Sequence, residues 1–294
     1  MIDIVLRLAP VTVRVRSPFR SVARHIERFY GGLPADSALN RDDPFVDFDI
    51  RLVGGANWRR WFRPQARFLL DESDPFLPLP ASQAAPLFEW GLNWCFATRP
   101  LGYLVMHAAV VAQGGDALIL PGFPGAGKST LCASLTFAEG WRLLSDELAI
   151  LEPETGELQP NPRPISVKNE SLRIVSAFPG ATLGPAYSDT RKGTVAHVAP
   201  PAASVDAAEQ TARCRWVVFP RFTADAPTTC EEITRAEAFT RIAEQSFNRD
   251  RMGEAGFHAI CAMLDGARCF EIGYGSTADG LGLIRDITSE RTAQ

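Results

Sequence analysis

The chain has no excess of positive charge. Its 30 Lys and Arg residues face 34 Asp and Glu, for a formal net charge of −4. A nucleic-acid partner is not expected, because such a partner calls for a basic stripe. No apolar run approaches the roughly 18 residues that span a bilayer, so no membrane helix is expected. The opening Met1–Arg7 carries charges inside its apolar run and does not read as a signal peptide. The six cysteines form no C-x-x-C pair. They read as reduced, mostly buried thiols of a cytoplasmic protein, and His258-x-x-Cys261 lacks the second ligand pair of a zinc site. There is no internal repeat and no low-complexity tract.

What is present centres on Gly122-Phe123-Pro124-Gly125-Ala126-Gly127-Lys128-Ser129-Thr130. This fits the phosphate-binding pattern G-x-x-x-x-G-K-[ST] at every fixed position. Its backbone N–H groups can surround a polyphosphate, and its glycines let the backbone approach closely. Lys128 can reach the β- and γ-phosphates, and the Ser129 hydroxyl can ligate Mg²⁺. The apolar run Ala117–Leu120 reads as a buried strand before the loop. Leu131–Phe137 reads as the helix after it, with its N-terminal dipole toward the anion. A nucleoside triphosphate with Mg²⁺ is the expected ligand.

Residues 1–86 read as a strand-rich accessory region. Ile2–Leu8, Val11–Val15, Phe45–Leu52, Trp58–Phe62 and Arg67–Leu70 pattern as strands, and Ser17–Tyr30 as an amphipathic helix with Val22, Ile26 and Phe29 on one side. The cluster Trp58–Arg63 with Arg67 is read as a half-buried strand whose arginine stems cover apolar surface; the other reading is an acidic-peptide dock. Residues 87–294 read as the catalytic region. Leu87–Thr98 is an aromatic-rich helix too apolar for a solvated surface. Strands are expected at Tyr103–Ala112, Trp141–Leu144, Leu148–Leu151, Ile165–Val167, Cys214–Phe219 and Cys269–Tyr274. Helices are expected at Ala236–Gln245, Gly253–Leu264 and Ala278–Asp286, and residues 176–213 read as loop.

Asp146 and Glu147 follow Lys128 by one crossover, so both carboxylates are expected at the sheet edge that carries the loop. Two carboxylates there suit a base for an attacking hydroxyl and a holder of Mg²⁺. A purely metal-binding Asp146, or a turn cap at Ser145-Asp146, are the other readings. His107, alone, reads as an ordinary core histidine. Arg163, Lys168, Arg191 and Lys192 are candidate cations for the transferring phosphoryl group, and each alone also reads as a surface charge.

Together these residues resemble the catalytic domain of HPr kinase/phosphorylase, bacterial enzymes that phosphorylate a serine on a small carrier protein. The shared set is His107 fifteen residues before Gly122, the loop with Lys128 and Ser129, and Asp146 eighteen residues after Lys128. The whole chain is still more similar to the group called HprK-related kinase A. That likeness includes Glu89-Trp90-Gly91-Leu92-Asn93-Trp94, Ser145-Asp146-Glu147, Arg163-Pro164, Val167-Lys168-Asn169, Lys192–His197 and Ser246-Phe247-Asn248. The resemblance implies an α/β fold of the HPr kinase and phosphoenolpyruvate carboxykinase type, with the strand-rich front end packed against it. It implies that Lys128 binds phosphate, Ser129 binds Mg²⁺, Asp146 activates the acceptor hydroxyl and His107 has a catalytic role. The family's segment rich in Glu-Ile-Arg-Gly has no counterpart here, so Glu147 stands in as the further Mg²⁺ ligand and the reverse reaction is not carried over.

The expectation is an ATP-dependent serine kinase acting on a peptide or small carrier protein, with ATP and Mg²⁺ as cofactors. Phosphate contacts come from Gly122, Pro124, Gly125, Ala126, Gly127, Lys128, Ser129 and Thr130. Homo-oligomers are expected by the same resemblance. A nucleotide-gated binding module or weak ATPase, and a small-metabolite kinase, are the alternatives.

Overall fold

The computed structural model describes residues 1–32, 35–37, 45–55, 62–99 and 101–289. The strand expected at 58–62 lies almost wholly outside them, as does the 58–61 part of the aromatic–arginine cluster 58–63 with Arg67; of its described members, Phe62 and Arg63 are exposed and Arg67 donates to Asp74 Oδ2.

The chain opens as a hairpin, β1 (Ile2–Leu8) and β2 (Val11–Ser17), in which Val11, Val13 and Val15 are buried and Arg14 faces the other side. Helix α1 (Arg20–Tyr30) buries Val22, Ile26 and Phe29 as its periodicity requires. It starts later than Ser17, because Pro18 forces the residue before it into extended geometry and Ser17 completes β2. Strands β3 (Ala35–Ser37), β4 (Phe48–Gly54), β5 (Gln65–Leu70) and β6 (Leu79–Pro80) complete a six-stranded sheet in the order β3-β1-β2-β4-β5-β6. Helix α2 (Ala84–Thr98) lies on this sheet, burying Leu87, Phe88, Leu92, Cys95 and Phe96. Its core continues into Val105 and Ile150 of the next sheet and Leu148 just before the strand Ala149–Leu151. The apolar breadth read from sequence thus comes from burial on more than one side.

The second sheet begins with β7 (Leu104–Met106), β8 (Ala108–Gln113) and β9 (Asp116–Pro121), followed by α3 (Lys128–Ala138), β10 (Arg142–Ser145), β11 (Ala149–Leu151) and β12 (Glu157–Gln159). The single strand expected from Tyr103 to Ala112 is broken at His107. The chain changes partners there: β7 pairs with β11, whereas β8 pairs with β9 and β10. The His107 N–H, freed from the ladder, donates to the Gln245 carbonyl at 2.7 Å.

A small antiparallel sheet follows from β13 (Ile165–Lys168), α4 (Glu170–Ser176), β14 (Tyr187–Thr190) and β15 (Gly193–Val198), with the strands in the order β13-β15-β14. Together with α5 (Ala202–Asp206), this corrects the loop reading of residues 176–213. Val195, Ala196 and Val198 are buried, but small and polar neighbours hide their strand signal. The chain then returns to the second sheet with β16 (Ala212–Phe222) and β17 (Thr229–Glu232). Helices α6 (Arg235–Glu244), α7 (Arg249–Met252) and α8 (Glu254–Asp265), strand β18 (Arg268–Tyr274) and helix α9 (Thr277–Ser289) follow.

Strands β9, β16 and β18 run parallel to one another. One sheet face packs Leu118, Leu120 and Val218 against Leu131 and Leu135 of α3 and Ile284 of α9. The other packs Ile119, Val217 and Phe219 against Ile242 of α6 and Ile260 and Met263 of α8. Burial on both faces explains the unbroken apolar strands. The described fold is mixed α/β with several sheets. None of its described helices is long and apolar enough to cross a membrane.

Candidate functional site

Ligands of parallel sheets collect beyond the carboxyl ends of the strands. Here those ends are Pro121, Phe222 and Tyr274, and the loop 122–127 leaves from the first. Strand β10 lies beyond β8 and is antiparallel to it, as β8 is to β9. It therefore runs in the direction of β9 and delivers Asp146 and Glu147 to the same edge. The crossover through α3 skips one strand, but the sense is that expected from the sequence.

The edge encloses a cavity of about 540 Å³. Pro124, Gly125, Gly127, Lys128, Ser129 and Thr130 line it from the loop and the first turn of α3, while His107, Asp146, Glu147, Lys168 and Lys192 face them. Gly122 and Ala126 do not line it; they hold the loop in place. The Gly122 carbonyl accepts from the Lys128 ammonium, which also donates to the Phe123 carbonyl at 3.1 Å. The Ala126 carbonyl accepts from the Phe222 N–H at 3.3 Å. Gly127 has φ 94°, and a Cβ there would lie 2.3 Å from Tyr274 Oη. Both the backbone angle and the space demand glycine.

The electrostatics of the two adjacent carboxylates differ. Asp146 is buried; its Oδ2 accepts the Ser166 N–H at 2.9 Å, and its Oδ1 is buried with no hydrogen-bond partner. Burial pushes its carboxyl up to about 6, and the Glu147 charge adds to this. The Ser166 N–H, the Ser129 hydroxyl and Lys168 oppose the rise. Burial also acts to raise Glu147, but Lys192, Lys168, His107 and Arg163 outweigh it and hold Glu147 below the usual carboxylate range. Lys168 Nζ stands 3.8 Å from its Oε1, and Asn93 Nδ2 donates to its Oε2 at 2.5 Å.

The cations respond to the same enclosure. Burial brings Lys128 down to about 8, with Asp146 and Glu147 acting in the opposite sense. Lys192 is lowered mainly by burial, and its ammonium lies 5.6 Å from the centre of the Trp90 ring. His107 is lowered by burial and by Lys128, against the pull of Glu147; its Nδ1 lies 3.2 Å from the Glu147 carbonyl oxygen.

Two expected cations lie elsewhere. Arg163 is buried behind Glu147, with Nε donating to Asn161 Oδ1 at 2.6 Å and Nη1 3.5 Å from Glu89 Oε2. It borders a smaller cavity of about 20 Å³ that shares Asp146, Glu147 and Ser166 with the main one. Arg191 is exposed and lines none of the main cavity. Reading the sequence by residue type brings out Lys168 and Lys192 but does not separate them from these two, because the separation depends on strand register.

Several wall residues went unread. Ser166 acts through a backbone N–H, which no side-chain pattern reveals. Phe222, 41% exposed, and Tyr274 look like ordinary strand residues until the strands are aligned. Asn93 lies outside this wall and borders the small cavity beside it, and nothing within the run Glu89–Trp94 marks it.

The donor set fits Mg²⁺. Ser129 on the loop side and Glu147 and Asp146 on the facing side offer hard oxygen donors to one cavity, and Asp146 Oδ1 has no hydrogen-bond partner. Among the described residues no cluster of three or more His, Cys, Asp or Glu forms a cage, but Mg²⁺ at a nucleotide needs only one or two carboxylates beside phosphates and waters. No family model matches this chain, and no curated protein matches it.

Proposed function

We propose that this protein is an ATP-dependent kinase that transfers the γ-phosphate to a serine hydroxyl of a peptide or small protein, on a P-loop fold of the HPr kinase type. The observation that carries this reading is the divergence of two adjacent carboxylates across one cavity from Lys128. Asp146 is pushed up to about 6 while Glu147 is held low. Environments that push neighbouring groups apart assign an acid–base role to one and an electrostatic role to the other. A base with a value near 6 is mostly ionised at neutral pH and still able to take a proton.

In this mechanism the triphosphate lies against the loop and the N-terminus of α3, where free N–H groups and the helix dipole favour anions. The acceptor oxygen attacks the γ-phosphorus, its proton passes to Asp146 Oδ1, and the bond from the γ-phosphorus to the β–γ bridging oxygen breaks, releasing ADP. Oδ2 stays tied to Ser166, which keeps Oδ1 aimed. Lys128, Lys168 and Lys192 offset charge on the phosphoryl oxygens. Ser129 and Glu147 would hold Mg²⁺, which supplies neutralisation of the β- and γ-oxygens when bound.

Transfer of label from γ-labelled ATP to serine peptides tests the proposal, with Asp146→Asn as control. Transfer by the wild type and its loss in the variant is the expected result. A wild-type chain that binds ATP yet labels no peptide would overturn the kinase reading, and full transfer by the variant would remove the base.

A further inference from the structure

Glu89 and Asn93 are one turn apart on α2, and so share a helix face. Glu89 is buried and meets both layers. Its Oε1 lies 2.7 Å from His25 Nε2 and accepts from Tyr30 Oη at 2.7 Å, both from α1; its Oε2 faces Arg163. Arg163 in turn donates Nη2 to Asn93 Oδ1, and Asn93 Nδ2 donates to Glu147 Oε2. The series runs unbroken from the N-terminal helix to a carboxylate on the cavity wall.

The chemistry of the middle link is restrictive. Guanidinium offers only donors and an ionised carboxylate only acceptors, so the group between them must accept on one side and donate on the other. A primary amide does both from one planar unit. Aspartate would oppose Glu147, and leucine would leave both partners short of a hydrogen bond. With Oε2 occupied by Asn93, Oε1 is the oxygen that meets Lys168.

We propose that Asn93 is a positioning residue for Glu147, and that through Glu89 and Arg163 the N-terminal layer sets how Glu147 presents itself to a Mg²⁺-bound nucleotide. The inference rests on the nucleotide reading above. It gives the accessory sheet a task at the site and gives the Glu89–Asn93 spacing a reason.

The test compares the affinity of a non-hydrolysable ATP analogue with and without Mg²⁺, by titration calorimetry, in the wild type, Asn93→Leu, Asn93→Asp and Asn93→Ser. Residues that orient a metal ligand typically change metal affinity by about 10- to 100-fold. The gain from Mg²⁺ is expected to fall by about tenfold in Asn93→Leu and by less in Asn93→Ser, whose hydroxyl can still donate; in Asn93→Asp the added negative charge favours the cation and offsets part of the fall. Metal-free binding is expected to stay within about twofold, since the loop and Lys128 do not touch Asn93. On a Glu147→Gln background, Asn93→Leu should remove little more, because coupled residues are not additive. An unchanged Mg²⁺ gain in the folded variants, or full additivity with Glu147→Gln, overturns the inference. So does loss of folding in all three, which would make Asn93 a fold residue only; if the leucine variant alone fails to fold, the serine variant is read in its place. A wild-type chain that binds no analogue under either condition would take down the nucleotide reading itself, a result distinct from the others.

Discussion

The Ser166 backbone N–H donates to Asp146 Oδ2 at 2.9 Å across twenty positions of sequence. This bond ties the tip of β10 to β13 and leaves Oδ1 as the oxygen without a hydrogen-bond partner. An amide at this position would keep the shape and lose the proton acceptor.

Asp146→Asn is therefore expected to lower phosphoryl transfer by about 10²- to 10⁴-fold, the usual worth of a general base. Nucleotide affinity should change only a few-fold. Single-turnover label transfer beside equilibrium binding separates the two.

Lys128 loses its charge as pH rises through about 8. If only the ammonium form binds, apparent affinity scales with its fraction, and tripolyphosphate binding should weaken about tenfold from pH 7 to pH 9. Lys128→Arg keeps its charge throughout and should flatten that dependence, whatever its absolute affinity. Calorimetry at the two pH values checks both.

The buried His197 is held down to about 4, mainly by burial, against an ordinary value of 6.5. Between those values the unfolded chain binds a proton that the folded chain refuses, so stability falls as pH drops from about 6.5 to 4. The whole window is worth about 3 kcal/mol. Burial raises Glu89, but its hydrogen bond to His25, with the charges of His25, His197 and Arg163, brings it to about 2. Its contribution is present above 4.5 and is lost below that, which extends the decline. Urea unfolding at pH 7.5, 5.5 and 4.5 measures the slope, and His197→Phe should reduce it in the upper part of the window.

Gly91 faces the Phe68 ring so closely that a Cβ would lie 2.0 Å from Phe68 Cε2. Gly91→Ala should destabilise the chain by about 1–3 kcal/mol through overpacking, despite the better helix propensity of alanine. Adding Phe68→Leu should recover part of the loss. Thermal melts of the single and double variants decide it.

Much of the local architecture was legible in the sequence. The alternation in Val11–Val15, the helical spacing of Val22, Ile26 and Phe29, and the apolar runs at Ala117–Leu120 and Cys214–Phe219 report backbone states that neighbouring residues set among themselves. The small sheet within residues 165–198 was mostly not legible. Val195, Ala196 and Val198 gain their strand identity from pairing with Ile165–Lys168, some thirty positions away. The break at His107 was also hidden, since nothing within Tyr103–Ala112 says that the two halves pair with different strands.

The sequence by itself determined the glycine-rich loop before α3: its glycines, Lys128 and Ser129 lie within one short stretch of chain, and their geometry is set by contiguous backbone. It also determined that Asp146 and Glu147 follow at a spacing that returns them to that loop. Only the tertiary structure decided that these neighbours carry opposite shifts, that Lys168 and Lys192 line the cavity while Arg163 and Arg191 do not, and that Asn93 holds Glu147. Burial and charge act through space, as sums over residues that the chain brings together from distant positions, and no local pattern contains those sums.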